Sequence, residues 1–391
     1  MLKKNILIFF YFTVLFPFVS LFPINTDLQP VFIILTIITA IFYHREISFG
    51  NNDLVLIIAG LLSLIYFNLF TPDLSLTKGF SSYVSLFTAM IFLLVFKKTF
   101  NLKIFISVFK ISIMIYFISS LLFFFMPSFF TNFQSYLVRA INTADEGIGF
   151  RGISTYFTEP GLFGAHMVAF LVVLLNLYKK NIISSSSFRL FFLICLSMVL
   201  MSKSGMGYAY ISVFILLAYW RNKFVIIPLI LILFTLSYYN LDSIIEINRG
   251  FQSLEELSNL SSSTDNSILK RVYDFSLGII VFTNNIFGLG VNADFSIVKD
   301  IIENNIYFSN YYSLWRPFGF VSSFSFYIVS YGIWFILLIL FLLYNYRPSF
   351  INFIFFILFI SFSFSGSYPI IWMMLIMNYL LKNHHQNLSY S

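Results

Sequence analysis

The sequence predicts an all-α, polytopic membrane protein with about 12 transmembrane helices and two long outward-facing loops, 127–159 and 240–316. Three observations lead there. The chain is 59% hydrophobic and 21% aromatic but only 10% charged, with a mean hydropathy of +0.89. Soluble domains carry about 25% charged residues, so no water-soluble core could hide this much apolar surface. The apolar residues fall into long runs between short polar stretches, and cations gather at alternate ends of those runs.

A span needs about 20 mostly apolar residues, within a range of roughly 17–25. The runs near that length are 5–22, 29–43, 53–70, 80–96, 104–126, 160–178, 187–202, 205–220, 224–239, 317–344, 349–365 and 368–381. Several are short and need tilt or flanking residues. Lys3 and Lys4 precede the first run. They also suit a signal peptide, but no small-x-small cleavage site follows and Phe22-Pro23 is a poor one, so a retained helix is expected. Arg45 follows the second run and Asp53 opens the third. Lys97 and Lys98 close the fourth, and Lys103 precedes the fifth, with Lys110 just inside it. Lys179 and Lys180 end the sixth. Ser184 to Ser187 is a short polar turn, and Arg189 begins the seventh. Arg221 and Lys223 separate the eighth from the ninth, Arg347 follows the tenth, and Lys382 follows the last.

With the N-terminus inside, the inner side holds 14 of the 23 cations and two of the 16 acids, a net +12. The outer side holds the other nine cations and 14 acids, a net −5. One assignment sorts the whole chain, with both termini on the cytoplasmic side. The chain reads as a single membrane domain, 1–391. In the second long loop, Leu277 to Leu289 is weakly apolar but interrupted by Thr283-Asn284-Asn285. If 276–292 spanned, Arg347 and Lys382 would move outside. A helix at the outer surface is expected instead. No internal repeat or heptad pattern is evident.

Several chemistries lack their residues. The cations are scattered at helix ends, which does not suggest nucleic acid as a partner. There is no Walker loop and no Cys/His cluster at zinc spacing, so neither metal nor other cofactor is expected. Cys195 is the single cysteine, so no intramolecular disulfide forms. His44, His384 and His385 lie at the inner face and His166 within a span. The outer loops hold no histidine for a Ser-His-Asp hydrolase. No Asp-x-Asp is present to anchor a metal-bound nucleotide sugar.

Glu159 is the most informative residue. It sits in Phe157-Thr158-Glu159-Pro160-Gly161 at the outer mouth of a span, with Arg151 eight residues upstream. Ionisable groups at such places are costly and usually functional. The outer face also offers Lys203, Arg271 and Arg316. Guanidinium groups bind phosphate bidentately and keep their charge near lipid, so a cluster of them suits a lipid-borne pyrophosphate. A carboxylate beside it can take a proton from a sugar hydroxyl. Structural readings stand beside these. Thr158 and Pro160 make a good helix start, with Glu159 favourable in the first turn. Arg151 can pair with Asp145 or Glu146. Lys203 can snorkel, Arg271 can be solvated beside Lys270, and Arg316 beside Trp315 can anchor at the interface. His166 reads as buried in the bundle.

Taken in order, these segments resemble the O-antigen polymerase and ligase superfamily, and its Wzy-type polysaccharide polymerases in particular. Arg151-Gly152 followed by Phe157-Thr158-Glu159-Pro160-Gly161 looks like that family's Arg-x-x-Gly-to-Glu-Pro segment. Ser202-Lys203-Ser204-Gly205 looks like its Ser-Arg-x-Gly turn. Arg271, then Asn285-Ile286-Phe287-Gly288-Leu289-Gly290, resembles its Arg followed by Asn-Pro-aliphatic-Gly-x-Gly. Tyr327 to Leu338, with Ser330-Tyr331-Gly332-Ile333, resembles the helix after the large loop. The resemblance covers roughly 148–345. Lys203 departs from the usual Arg and Ile286 from the usual Pro. Ser322, Ser323 and Phe324 stand where many ligases carry a histidine, which favours a polymerase over a ligase.

The resemblance implies an inverting, metal-independent glycosyltransferase at the periplasmic face. It would transfer a growing glycan from an undecaprenyl pyrophosphate carrier to a lipid-linked repeat unit, as in O-antigen biosynthesis. Its partners would be the undecaprenyl pyrophosphate-linked oligosaccharide, the lipid bilayer and a chain-length regulator protein. Glu159, Arg271 and Arg151 would be catalytic. Lys203, Arg316, Gly288 and Gly290 would bind substrate. The alternatives are an O-antigen ligase and, from another class, a lipid-linked oligosaccharide flippase. A transporter would carry ionisable groups deep in its spans and broken helices in related repeats; Lys110 is the deepest charge in a span here.

Overall fold

The computed structural model describes residues 2–19, 30–47, 50–70, 76–138, 152–157, 159–219, 266–290, 298, 300–301, 304, 322–362 and 368–389. Among them there are 14 helices and no strand, so the chain is all-α as expected. They are α1 (Leu2–Leu15), α2 (Pro30–Phe42), α3 (Asn51–Phe70), α4 (Leu76–Thr99), α5 (Leu102–Phe125), α6 (Pro127–Ser135) and α7 (Pro160–Lys179). Then follow α8 (Ser185–Met201), α9 (Gly205–Tyr219), α10 (Asn266–Asn284), α11 (Ser323–Tyr331), α12 (Ile333–Tyr346), α13 (Phe350–Phe362) and α14 (Pro369–Ser389).

Two of these, α5 and α7, are long and apolar enough to cross a membrane, and a bent pair, α11 with α12, makes a third if taken as one span. Six further apolar stretches run 10–17 residues. The expected helices at 29–43, 53–70, 104–126, 160–178, 187–202 and 205–220 correspond to α2, α3, α5, α7, α8 and α9 within a few residues. Differences have local causes. The first run, expected over 5–22, stops being helical at Leu15 and turns through Phe16–Val19. The first long loop contains α6, started by Pro127 at its first position. The run 317–344 is not one helix. It is broken at Gly332 into α11 and α12, which meet at 117°. The run 224–239 and most of 240–316 lie outside the described residues, although 266–284 is the helix α10.

Side chains write the helix starts. The Asn101 side chain accepts from Ile104 N–H at 3.1 Å to begin α5. Ser184 Oγ accepts from Ser187 N–H at 3.2 Å to begin α8, so the short polar turn is a cap. Ser322 Oγ does the same for α11, from Ser325 N–H at 3.3 Å. Each such cap is worth about 1 kcal/mol.

The middle of α7, apolar but for His166, and the first half of α14 lie in the interior. Every residue from Leu162 to Leu175 of α7, and from Ile370 to Met377 of α14, is buried. A helix without a polar face belongs in an interior. α7 packs on α8, α9, α13 and α14, while α1 packs on α2, α5 and α14. Asn176 Nδ2 donates to Asn352 Oδ1 at 2.7 Å, and Asn352 Nδ2 donates to the Met374 carbonyl at 2.8 Å. This chain pins α7, α13 and α14 in one register. Near the ends expected to face inward, Asp53 is 2% exposed and bonds both Lys97 and Lys98 at 2.8 Å. His166 is fully buried, as expected, and its Nε2–H donates to the Leu15 carbonyl at 3.0 Å.

Candidate functional site

Residues 152–157 form a strap lying between α5, α6 and the turn joining α8 to α9. Ile153 N–H donates to the Met201 carbonyl at 3.1 Å. Gly152 is pressed onto the next residue of that turn: a Cβ placed on it would stand 1.8 Å from the Ser202 carbonyl oxygen. Only a residue without a side chain lets two backbones meet this closely. Gln134 Nε2 on α6 donates to the Phe157 carbonyl at 3.2 Å and reaches Ser154 Oγ at 3.5 Å. Tyr156 and Ser119 share a hydroxyl–hydroxyl bond of 2.8 Å. The Phe157 ring is buried against Phe18 and His166, each with ring centroids 4.8 Å away.

The strap leads into the start of α7. Glu159 has extended dihedrals, φ −142° and ψ 144°, and occupies the N-cap position itself. Its carbonyl accepts from Phe163 N–H at 3.2 Å, but its side chain makes no capping bond. Thr158, the cap expected from the sequence, lies outside the described residues. The Glu159 side chain is half-buried beside the N-terminus of α7.

The α8–α9 turn faces the same place. Lys203 has φ 45°, in the left-handed region that costs a non-glycine residue about 1–2 kcal/mol. Gly161 on the first turn of α7 would put a Cβ 3.4 Å from Ser204 Oγ. One turn deeper, a Cβ on Gly164 would stand 3.0 Å from the Cα of Gly207. Small residues on both sides thus let α7 and α9 meet backbone to backbone. The strap is strained too. Thr155 is fully buried at φ 45°, an outlier for a β-branched residue, and its hydroxyl has no partner among the described residues. Strain of this kind gathers at functional sites.

A second pairing lies at the break in the bent helix. Gly332 has φ 58° and ψ −133°. The last carbonyls of α11, which the break leaves unpaired, are taken up by the turn after α10. Leu289 N–H donates to the Val329 carbonyl at 2.8 Å, and Gly290 N–H to the Ser330 carbonyl at 3.0 Å. In return Ile333 N–H donates to the Ile286 carbonyl at 2.7 Å. Gly288 and Gly290 have φ 83° and 86°, which suits glycine alone. Their role in the structure is therefore to hold a turn against the break.

Of the residues singled out from the sequence, Glu159, Lys203, Gly288 and Gly290 are described in full. Arg271 lies on α10, with its side chain outside the described part. Arg151, bonded to Gly152, and Arg316 lie outside the described residues. The structure brings the Gly152–Glu159 segment together with the Ser202–Gly205 turn. It separately brings Asn285–Gly290 together with Ser330–Gly332. The two pairs are bridged by α13, which packs on α7, α9, α10 and α11.

Sequence reasoning passed over Asp274. It lies three residues after Arg271 on α10, is 0% exposed, and accepts from Ser322 N–H at 3.3 Å. A buried carboxyl group thus braces the start of α11 through the backbone amide of its N-cap residue. The available signal was a lone acid one turn from Arg271, ahead of the apolar half of α10. Among the described residues, no three His, Cys, Asp or Glu side chains converge as metal ligands.

These features define a class: an all-helical, strongly apolar chain whose charged and glycine-bearing segments meet where helices begin and break. Compared with protein-family models, curated proteins and solved structures, the chain matches none.

Proposed function

We propose that this chain is an integral membrane glycosyltransferase of the polysaccharide-polymerase type. It transfers a growing glycan from an undecaprenyl pyrophosphate carrier to the non-reducing end of a lipid-linked repeat unit, at the periplasmic face. One observation supports this most: Gly152 and Ser202 touch backbone to backbone. That contact sets the segment carrying Arg151 and Glu159 against the turn carrying Lys203, a meeting that the order of residues along the chain does not require.

In the proposed reaction an acceptor hydroxyl attacks the anomeric carbon of the donor. A new C–O bond forms as the bond to the pyrophosphate oxygen breaks, and the hydroxyl proton passes to Glu159. Arg151, Arg271 and Lys203 offset the charge that grows on the departing pyrophosphate. Arg316 binds the same group, and the turn at Gly288 and Gly290 shapes the floor beside it. Asp274 acts at one remove, by holding the start of α11.

The test is polymer formation by the purified chain in vesicles, from lipid-linked repeat units alone. A ladder of lengthening products supports the proposal. In a parallel reaction with lipid A core added, transfer to that core without a ladder in either reaction would make it a ligase. One observation favours a different class: the 117° break within an apolar helix pair is a device that transporters use. If the vesicles move intact repeat units across the bilayer and form no new glycosidic bond, the chain is a flippase.

A further inference from the structure

The exposed apolar surface at the outer end of α5 does not stop where that helix stops. α5 has 24 residues and, at 1.5 Å each, is about 36 Å long, more than the roughly 30 Å of a hydrocarbon core. Its exposed stripe of Ile111, Ile118 and Phe125 therefore reaches the edge of that core. Only Met126 separates α5 from α6, so α6 begins at the same level.

The nine residues of α6 divide cleanly at about 100° per residue. Ser128, Asn132 and Ser135 make an exposed polar face. Phe130 and Gln134 are buried. Between them a third flank carries Phe129, 64% exposed, and Phe133, 46% exposed, with Tyr136 just beyond at 75%. The buried side holds the strap: Gln134 bonds the Phe157 carbonyl, and the Phe130 ring lies 5.9 Å from that of Tyr156. Two large aromatics left bare beside a polar face are the pattern of a helix lying in the membrane boundary. The same helix thus presents an exposed polar, an exposed aromatic and a buried side.

We infer that α6 is an interfacial helix, with its Phe129–Phe133 flank sunk roughly 5–10 Å into the boundary between lipid headgroups and acyl chains. Through Gln134 and Phe130 it holds the strap, and so Glu159, at a set height above the hydrocarbon. This rests on the membrane reading of the chain but not on the reaction proposed for it.

The test places single nitroxide labels on the full chain in a Cys195→Ala background, in vesicles of phosphatidylcholine and phosphatidylglycerol. Labels go at Phe129→Cys, Phe133→Cys, Asn132→Cys and Ile118→Cys, all at exposed positions. Collisions with oxygen, which concentrates in lipid, are compared with collisions with a water-soluble nickel chelate. At Ile118 oxygen is expected to dominate severalfold. At Phe129 and Phe133 it should still exceed the chelate, by less, while at Asn132 the chelate should dominate. An oxygen-rich Ile118 with chelate-rich Phe129 and Phe133 would overturn the inference and leave the membrane reading intact. So would low collision rates with both reagents at Phe129 and Phe133, since protein, such as a second copy, would then cover the flank. A chelate-rich Ile118 would overturn both. Because Phe129 and Phe133 lie outside the core, a monodisperse elution profile suffices to show that each variant is folded.

Discussion

Replacing Gly152 by alanine tests the meeting of strap and turn most directly. The added Cβ starts 1.8 Å from the Ser202 carbonyl oxygen, and real Cβ contacts essentially never fall below 3.0 Å. Backbone must therefore give way by at least about 1.2 Å, from 1.8 to 3.0 Å, because the obstruction is no flexible side chain. Overpacking of this kind costs about 1–3 kcal/mol. The adjacent Ile153–Met201 hydrogen bond is lost or stretched, adding about 0.5–1.5 kcal/mol. Alanine restricts the unfolded chain and recovers about 0.4–1 kcal/mol. The net expectation is a loss of about 0.5–4 kcal/mol. If strap and turn form one active site, a displacement near 1 Å lowers turnover by about 10²-fold. The matched control is Gly161→Ala, where the new Cβ lies an ordinary 3.4 Å from Ser204 Oγ and helix propensity improves. Thermal unfolding in detergent and polymer formation in vesicles are measured on both variants at equal protein. Normal stability and turnover in Gly152→Ala would show that strap and turn are not held together as described.

Glu159→Gln should leave stability unchanged within about 1 kcal/mol, because no capping bond is lost, yet lower polymer formation by roughly 10²-fold or more; near-normal turnover would remove Glu159 from the chemistry. Lys203→Gly should raise stability by about 1 kcal/mol, by relieving φ 45°, while lowering turnover; Lys203→Arg should keep it, so equal activity of all three chains would deny the ammonium a role. Gly332→Ala should fail to accumulate as folded protein, since its Cβ would lie 2.2 Å from the Ile286 carbonyl oxygen at a φ and ψ open to glycine alone; wild-type yield would mean the break is not as described. Asp53→Asn should cost about 3–5 kcal/mol by leaving Lys97 and Lys98 facing each other, whereas Glu46→Gln, in an ion pair half exposed on both sides, should cost less than about 1 kcal/mol; similar losses in the two would contradict the burial of Asp53.

Helices are what the sequence determined by itself. Runs of apolar residues, with Pro160 at one end and Lys179 at the other, set α7 to within a residue, because hydropathy and capping act between near neighbours. The same local reasoning singled out Glu159 and Lys203, as charges in unusual places. It could not find the break at Gly332. A glycine in an apolar run looks like any other helical glycine until the turn at Ile286–Gly290 supplies partners for the freed backbone groups. Nor could it find the role of Gly152, which depends on a carbonyl at Ser202, or that of Asp274, which depends on an amide at Ser322. It read 127–159 as loop because α6 has too few apolar residues to announce a span. α6 owes its buried side to Tyr156 and Phe157, which fold back onto it. Local chemistry decides whether a segment is helical and how it partitions; only tertiary structure decides which backbones touch, because that depends on groups far away along the chain.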